Sequence, residues 1–182
     1  MMMVAKVKAL AKLLLKGIAF FLALLVLLYA VFKVWDYRAL ENKQAEQSAL
    51  QNRQKIKYDD LVKDQVSYAP LMVGTSSLDY VKDGDRSFIF SYLLSADYKV
   101  FKEAMEESAQ ITYVGKQILG SGCKKQACNE LESAFVIDPE TSQYFAAISQ
   151  SGAVVYYGVE EGKPIPSAFA KWQPNKSVEE VK

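Results

Sequence analysis

Residues 17–32 read GIAFFLALLVLLYAVF and carry no charge. No other part of the sequence so narrows what the chain can fold into. Sixteen helical residues reach about 24 Å at roughly 1.5 Å each, somewhat less than a hydrocarbon core of about 30 Å. The run is apolar on every face, unlike a surface helix with one stripe. Lys16 and Lys33 bracket it and can snorkel, and Tyr29 and Trp35 stand where interfacial aromatics gather. Basic residues Lys6, Lys8, Lys12 and Lys16 precede it, but the exit VFKVWDY lacks the small residues a signal peptidase needs. The expectation is an uncleaved signal anchor over 17–35, after a basic cytoplasmic leader at 1–16. Lysine counts favour an N-terminus inside and a C-terminal part outside the inner membrane.

Charge separates the two parts. The chain is +1 overall, but residues 1–36 hold five of the 22 basic and one of the 21 acidic residues, leaving the rest at −3. That remainder is no polyanion binder, and no nucleic-acid partner is expected. Histidine is absent. This excludes Ser-His-Asp and Cys-His catalysis, histidine-based zinc sites and a histidine pH switch. Two cysteines cannot build a cysteine-only zinc site. No catalytic residue, metal or cofactor is expected, and the chain is not read as an enzyme.

Residues 36–57 lack Gly and Pro and favour helix, with a poor heptad seam from Leu40. They read as a solvated helical stalk; dimerisation through it stays open. Residues 58–176 read as one α+β domain, and 177–182 as a frayed tail. Within the domain, short extended pieces are expected at Val66–Tyr68 and Leu71–Val73. Leu94, Tyr98, Phe101 and Met105 share a helical face, with Ser95 or Asp97 as cap. Strands are expected at 111–119, 132–137, 143–149 and 153–158. Asp138-Pro139-Glu140-Thr141 and Gln150-Ser151-Gly152 are the turn signals between the last three. Consecutive strands joined by tight turns imply an antiparallel sheet, with a helix packed on it. Phe169 and Trp172 are expected to cover an edge or face.

Between two expected strands lies GSGCKKQAC, 120–128. Beyond an export signal, Cys123 and Cys128 read as a disulfide that closes a short loop. The S-x-x-K spacing at Ser121–Lys124 lacks its companion motifs and a helix start. Carboxylate pairs Asp59/Asp60, Asp83/Asp85 and Glu160/Glu161 fall in polar segments and read as solvated surface.

From about Phe88 to Trp172 the chain resembles the inhibitor of vertebrate lysozyme (Ivy) family. The matching pieces are YLLSADYKVFKEAM, SGCKKQAC, SAFVIDPETSQYFAAIS and GVEEGKPIPSAFAKW. The resemblance implies a periplasmic protein with an antiparallel sheet and packed helices, and an inhibitory loop of pattern C-K-P-H-D-C. Cys123, Lys124 and Cys128 match that pattern; Lys125 replaces Pro, Gln126 replaces His and Ala127 replaces Asp. Lys124, Lys125, Gln126 and Ala127 are therefore the expected protein-binding loop. Its expected partner is a periplasmic or inner-membrane protein, first of all a cell-wall-cleaving enzyme. The alternative is an accessory subunit of an envelope assembly such as a pilus or secretion system, held by its anchor in the bilayer.

Overall fold

The computed structural model describes the backbone of residues 2–172 and 177–181, and the side chains of residues 25 and 27–172. Helix α1 runs from Met2 to Tyr68, 67 residues without a break. It contributes to two compact units, Met1–Asn52 and Arg53–Lys182.

In the first unit the described side chains are exposed, Phe32 at 62% and Trp35 at 73% among them. Among the described residues no helix is long and apolar enough to cross a membrane. The single-pass span expected at 17–35, and with it the bilayer contact, is thus not supplied by the structure. The uncharged run stops at Lys16 and Lys33, short of a bilayer core. The leader and most of that run, including Lys16, lie outside the residues whose side chains are described.

In the second unit α1 continues through the stretch where the first extended piece was expected. Tyr58, Leu61, Val62 and Val66 turn one stripe of the helix into the core, and Ala69 follows them. A 3₁₀ turn at Ala69–Met72 stands where the second extended piece was expected. Its second residue is Pro70, which cannot continue an α-helix interior. Helix α2 (Ser77–Lys82) starts at Ser76, whose hydroxyl accepts the Asp79 amide at 3.3 Å. Helix α3 (Gly84–Leu94) buries Ile89, Phe90 and Leu94. The expected helix near Asp97 is α4 (Tyr98–Glu103), one element later than α3 and shorter than its apolar face implied. Neither Ser95 nor Asp97 caps it through a side chain. Asp97 instead accepts the Tyr157 hydroxyl at 2.8 Å.

Among the described residues the sheet has seven strands: β1 (Glu107–Ser108), β2 (Thr112–Val114), β3 (Gln117–Cys123), β4 (Leu131–Asp138), β5 (Gln143–Gln150), β6 (Ala153–Tyr157) and β7 (Ser177–Val181). Its order is β1-β3-β4-β5-β6-β7, with β2 also on β3. All pairs are antiparallel except β6 and β7. Strands β4, β5 and β6 and their turns stand where the sequence put them. The expected strand 111–119 is two strands, because Gly115 at φ 61° lets the chain reverse. Ser177–Val181, expected to fray, pairs with β6, whose outer edge would otherwise leave backbone groups unpaired.

Alternate residues of β4 and β5 enter two different cores. Phe135, Ile137, Tyr144, Ala146 and Ile148 meet α2, α3, α4 and the end of α1. Ala134, Val136, Phe145 and Ala147 meet Val159, Ala168 and Phe169 on the other face. Helix α5 (Phe169–Trp172) closes that second face. A sheet covered on both sides explains why these strands read as near-continuous apolar runs.

Candidate functional site

Strand β3 carries Cys123 out of the core and β4 returns at Leu131. Glycines set β3 against its neighbours: a Cβ on Gly120 would lie 2.2 Å from the Phe135 ring, and one on Gly122 would lie 2.9 Å from the Met105 backbone. Strand β3 runs through Gly120–Cys123, so the GSGC residues are ladder, not loop. They pair with Phe135, Ala134, Ser133 and Glu132.

The Cys123–Cys128 disulfide is present, its Cα atoms 4.7 Å apart. It rings Lys124, Lys125, Gln126 and Ala127, so the structure brings these four expected residues together. Backbone bonds fix the turn. The Lys124 amide donates to Leu131 O at 2.9 Å, the Ala127 amide to Lys124 O at 2.9 Å and the Leu131 amide to Ala127 O at 3.0 Å. Gln126 takes a left-handed backbone, φ 63°. An L side chain tolerates that conformation at a cost. Lys125 and Gln126 are exposed, Lys124 and Ala127 half-buried. The Lys124, Lys125 and Gln126 side chains make no hydrogen bond or ion pair among the described residues. Three donor side chains are thus presented on a closed backbone ring.

Two neighbours were missed from sequence. Glu106 accepts the Lys125 amide at 3.4 Å. Glu107 pairs with Cys123 across the sheet and holds a carboxylate oxygen 3.5 Å from Cys128 Sγ. In sequence, both suit the polar face of the helix expected over Leu94–Met105. That helix ends at Glu103, and no sequence signal announces a two-residue strand 16 positions before its partner. Glu107, Cys123 and Cys128 lie close enough to suggest a cation site. Sulfurs joined to each other offer no thiolate, however, and thiolate is the form that ligates.

The remaining expected residues lie elsewhere. Lys33 and Trp35 belong to the N-terminal unit; Lys33 Nζ stands 6.0 Å from the Tyr29 ring. Of the carboxylate pairs, Asp59 is held by Lys55 at 2.7 Å and Asp83 by Arg86 at 3.1 Å. An open groove of about 640 Å³ lies at the other end of β4, lined by Gln117, Asp138, Glu160 and Lys163 among others. Its Gln117 is committed: it donates to Asp138 at 3.0 Å and accepts the Ala168 amide at 3.0 Å.

Residues 90–178 match the family model described as Inhibitor of vertebrate lysozyme (Ivy). The sheet domain is Ivy-like. The Ivy match begins within α3, contains the whole disulfide loop and ends at the start of β7. It extends slightly beyond the stretch whose motifs carry the resemblance in the sequence. No curated protein and no solved structure matches the chain. The Ivy match supports protein binding of the lysozyme-inhibitor kind and is consistent with a protein that is not an enzyme.

Proposed function

We propose that the Ivy-like domain is a protein-binding module that acts outside the cytosol. Through the Cys123–Cys128 loop it restrains a lysozyme-like or other cell-wall-cleaving enzyme. One observation carries the reading. A covalently closed, exposed loop inside the Ivy-matching residues leaves its two lysines and Gln126 unbonded among the described residues. A fixed backbone loses little entropy on docking. Lysine ammonium groups suit the carboxylates on which glycosidases depend, through charge-assisted bonds. Gln126 offers an amide that donates and accepts but cannot become cationic. Ala127 is small and half-buried, so it lets the tip approach a narrow cleft. The disulfide and the family together support periplasmic residence.

The test uses the purified full chain and a triple variant, Lys124→Ala, Lys125→Ala, Gln126→Ala. Each is titrated against a vertebrate lysozyme and against a bacterial cell-wall-cleaving glycosidase, read by calorimetry and by peptidoglycan turbidity. Tight binding with inhibition of either enzyme, weakened at least about a hundredfold in the variant, is expected; that is about 2.7 kcal/mol over three contacts. Equal binding by both proteins, or none, would reject the loop as the docking element.

A second reading rests on a different observation. Val31, Phe32, Val34, Trp35 and Tyr37 of α1 are all strongly exposed, from Val34 at 56% to Trp35 at 73%. Solvent disfavours such an apolar stretch. Cover by other components of an envelope assembly would make the chain an accessory subunit. Capture of the same membrane complex by the parent and the loop variant would favour that reading.

A further inference from the structure

A half-buried disulfide on a surface loop is open to attack by solvent thiols, and such bonds are commonly the labile ones. Here both cysteines are only half-buried. We propose that Glu107 guards this bond, keeping the loop closed by opposing every route by which a thiolate can open it. The proposal does not depend on which protein the loop binds.

Register places Glu107 and Glu132 on either side of Cys123. Glu107 is the one that meets the sulfurs: its main-chain oxygen lies 3.9 Å from Cys123 Sγ, and its carboxylate lies 3.5 Å from Cys128 Sγ. The disulfide sulfurs carry no proton, so these are close approaches and not hydrogen bonds. Reduction begins when an external thiolate attacks one sulfur. A mixed disulfide forms and the other sulfur leaves as a thiolate. If Cys123 is attacked, the negative charge is released on Cys128, against the Glu107 carboxylate. A neighbouring like charge raises the leaving thiol's pKa, and a more basic thiolate leaves more slowly. If Cys128 is attacked, the incoming thiolate meets the same carboxylate. In the second step a second reductant thiolate attacks the reductant's sulfur in the mixed disulfide and expels the remaining cysteine thiolate. The two reductant thiols are thereby oxidised to their disulfide, and the two cysteines take up two protons.

The other charges nearby are Lys124 and Lys125, which draw an anion towards the loop, and Glu106, Glu130 and Glu132. Glu106 points to the Lys125 amide and not to a sulfur. The lysines make a guard necessary: the feature that suits the loop to an anionic partner also attracts an anionic reductant. Glu107 opposes that attraction at the sulfur itself.

The experiment follows reduction of the full-length protein by two thiols of opposite charge, anionic glutathione and cationic cysteamine, at matched thiolate concentration and low salt. Free cysteine is read by mass after alkylation. Glu107→Gln is expected to raise the glutathione rate by roughly three- to tenfold, with a smaller rise for cysteamine, so the ratio of the two rates shifts. Glu106→Gln is expected to move that ratio by less than about twofold. Salt is expected to narrow the difference between parent and Glu107→Gln. Two results would overturn the proposal. One is an unchanged rate for Glu107→Gln with both thiols. The other is an equal rise with both, which would mean a loosened loop. Glu107→Asp, which keeps the charge on a shorter arm, is expected to recover part of the protection.

Discussion

The two ends of β4 are held by different chemistry. At Leu131 the chain arrives from a ring closed by a covalent bond, with a left-handed Gln126 at its tip. At Asp138 it leaves through a turn held by side chains. The Asp138 carboxylate accepts the Glu140 amide at 2.9 Å and the Thr141 amide at 3.3 Å. Gln117 bridges to the same carboxylate, and Lys116 pairs with Glu140. The Asp138 end uses its polar side chains on itself. The Cys128 end is fixed by backbone bonds and sulfur, so its side chains are left for something else. A disulfide is needed where a turn must be rigid and yet keep its side chains unengaged. That contrast, more than exposure alone, supports the loop as the binding surface we propose.

The largest expected effect tests whether the hydrogen-bonded end yields first. Next to Gln143, Tyr144 shares a hydrogen bond of 2.6 Å with Tyr80 within the core. Burial pushes the Tyr80 hydroxyl up to about 12, and burial does the same for Tyr58. Burial, with the adjoining Tyr80, pushes Tyr144 up as well. Raised pKa values mean that the folded chain holds these protons more tightly than the unfolded chain. The stabilisation is therefore complete below about pH 10 and is lost as pH rises towards about 12. The expected loss is about 1.4 kcal/mol per pH unit for each tyrosine. Urea denaturation between about pH 8 and pH 12 should show this fall. Tyr144→Phe should start less stable and fall less steeply.

Removing the staple comes next. Cys123→Ser with Cys128→Ser is expected to lower stability by about 2 kcal/mol from the six-residue ring. Partner affinity should fall by more than that stability change explains, because the ring must then be ordered on binding. A stability loss with unchanged affinity would make the bond a simple brace, and the contrast between the ends would lose its functional meaning.

The converse variant is Asp138→Ala. It removes the two amide contacts and the Gln117 bridge, for about 1–2 kcal/mol. Partner affinity is expected to stay within about twofold, measured on protein shown to be folded at the assay temperature. Together the two variants separate stability at one end of β4 from recognition at the other.

These differences explain what sequence could and could not give. The Asp138 turn was legible because Asp and Pro at set positions are a local code. The disulfide was legible because two cysteines in a chain read as exported have few alternatives. The helix over Tyr98–Glu103 was legible from Tyr98 and Phe101 at helical spacing. By contrast, Glu107 becomes part of the site only through strand register, and its partner Cys123 is a long-range neighbour. Gly122 falls in the stretch expected between two strands, but it is a strand position pressed against the Met105 backbone. Helix α3 hid in Phe88-Ile89-Phe90, a run equally suited to a buried strand. The second core stayed invisible because Phe169 and Ala168 reach it from well beyond β6. Val66–Tyr68 reads as extended because the buried stripe of Tyr58, Val62 and Val66 makes sense only once the sheet domain exists.

The smallest expected effect is the sharpest probe of the tip. Gln126 sits at φ 63°. There an L side chain crowds the following carbonyl. Gln126→Gly relieves that strain, less the entropy a glycine loses on folding, for a net gain of about 0.5 kcal/mol. If Gln126 serves only the turn, the glycine variant should be slightly more stable and bind as the parent does. If the amide meets the partner, stability should rise while affinity falls, a divergence that a purely structural residue cannot produce. Gln126→Asn completes the test, since asparagine tolerates the left-handed backbone and keeps an amide on a shorter arm. Affinity for Asn between those of Gln and Gly is the expected order. A stability gain for Gly with no change in affinity would move recognition onto Lys124 and Lys125 alone.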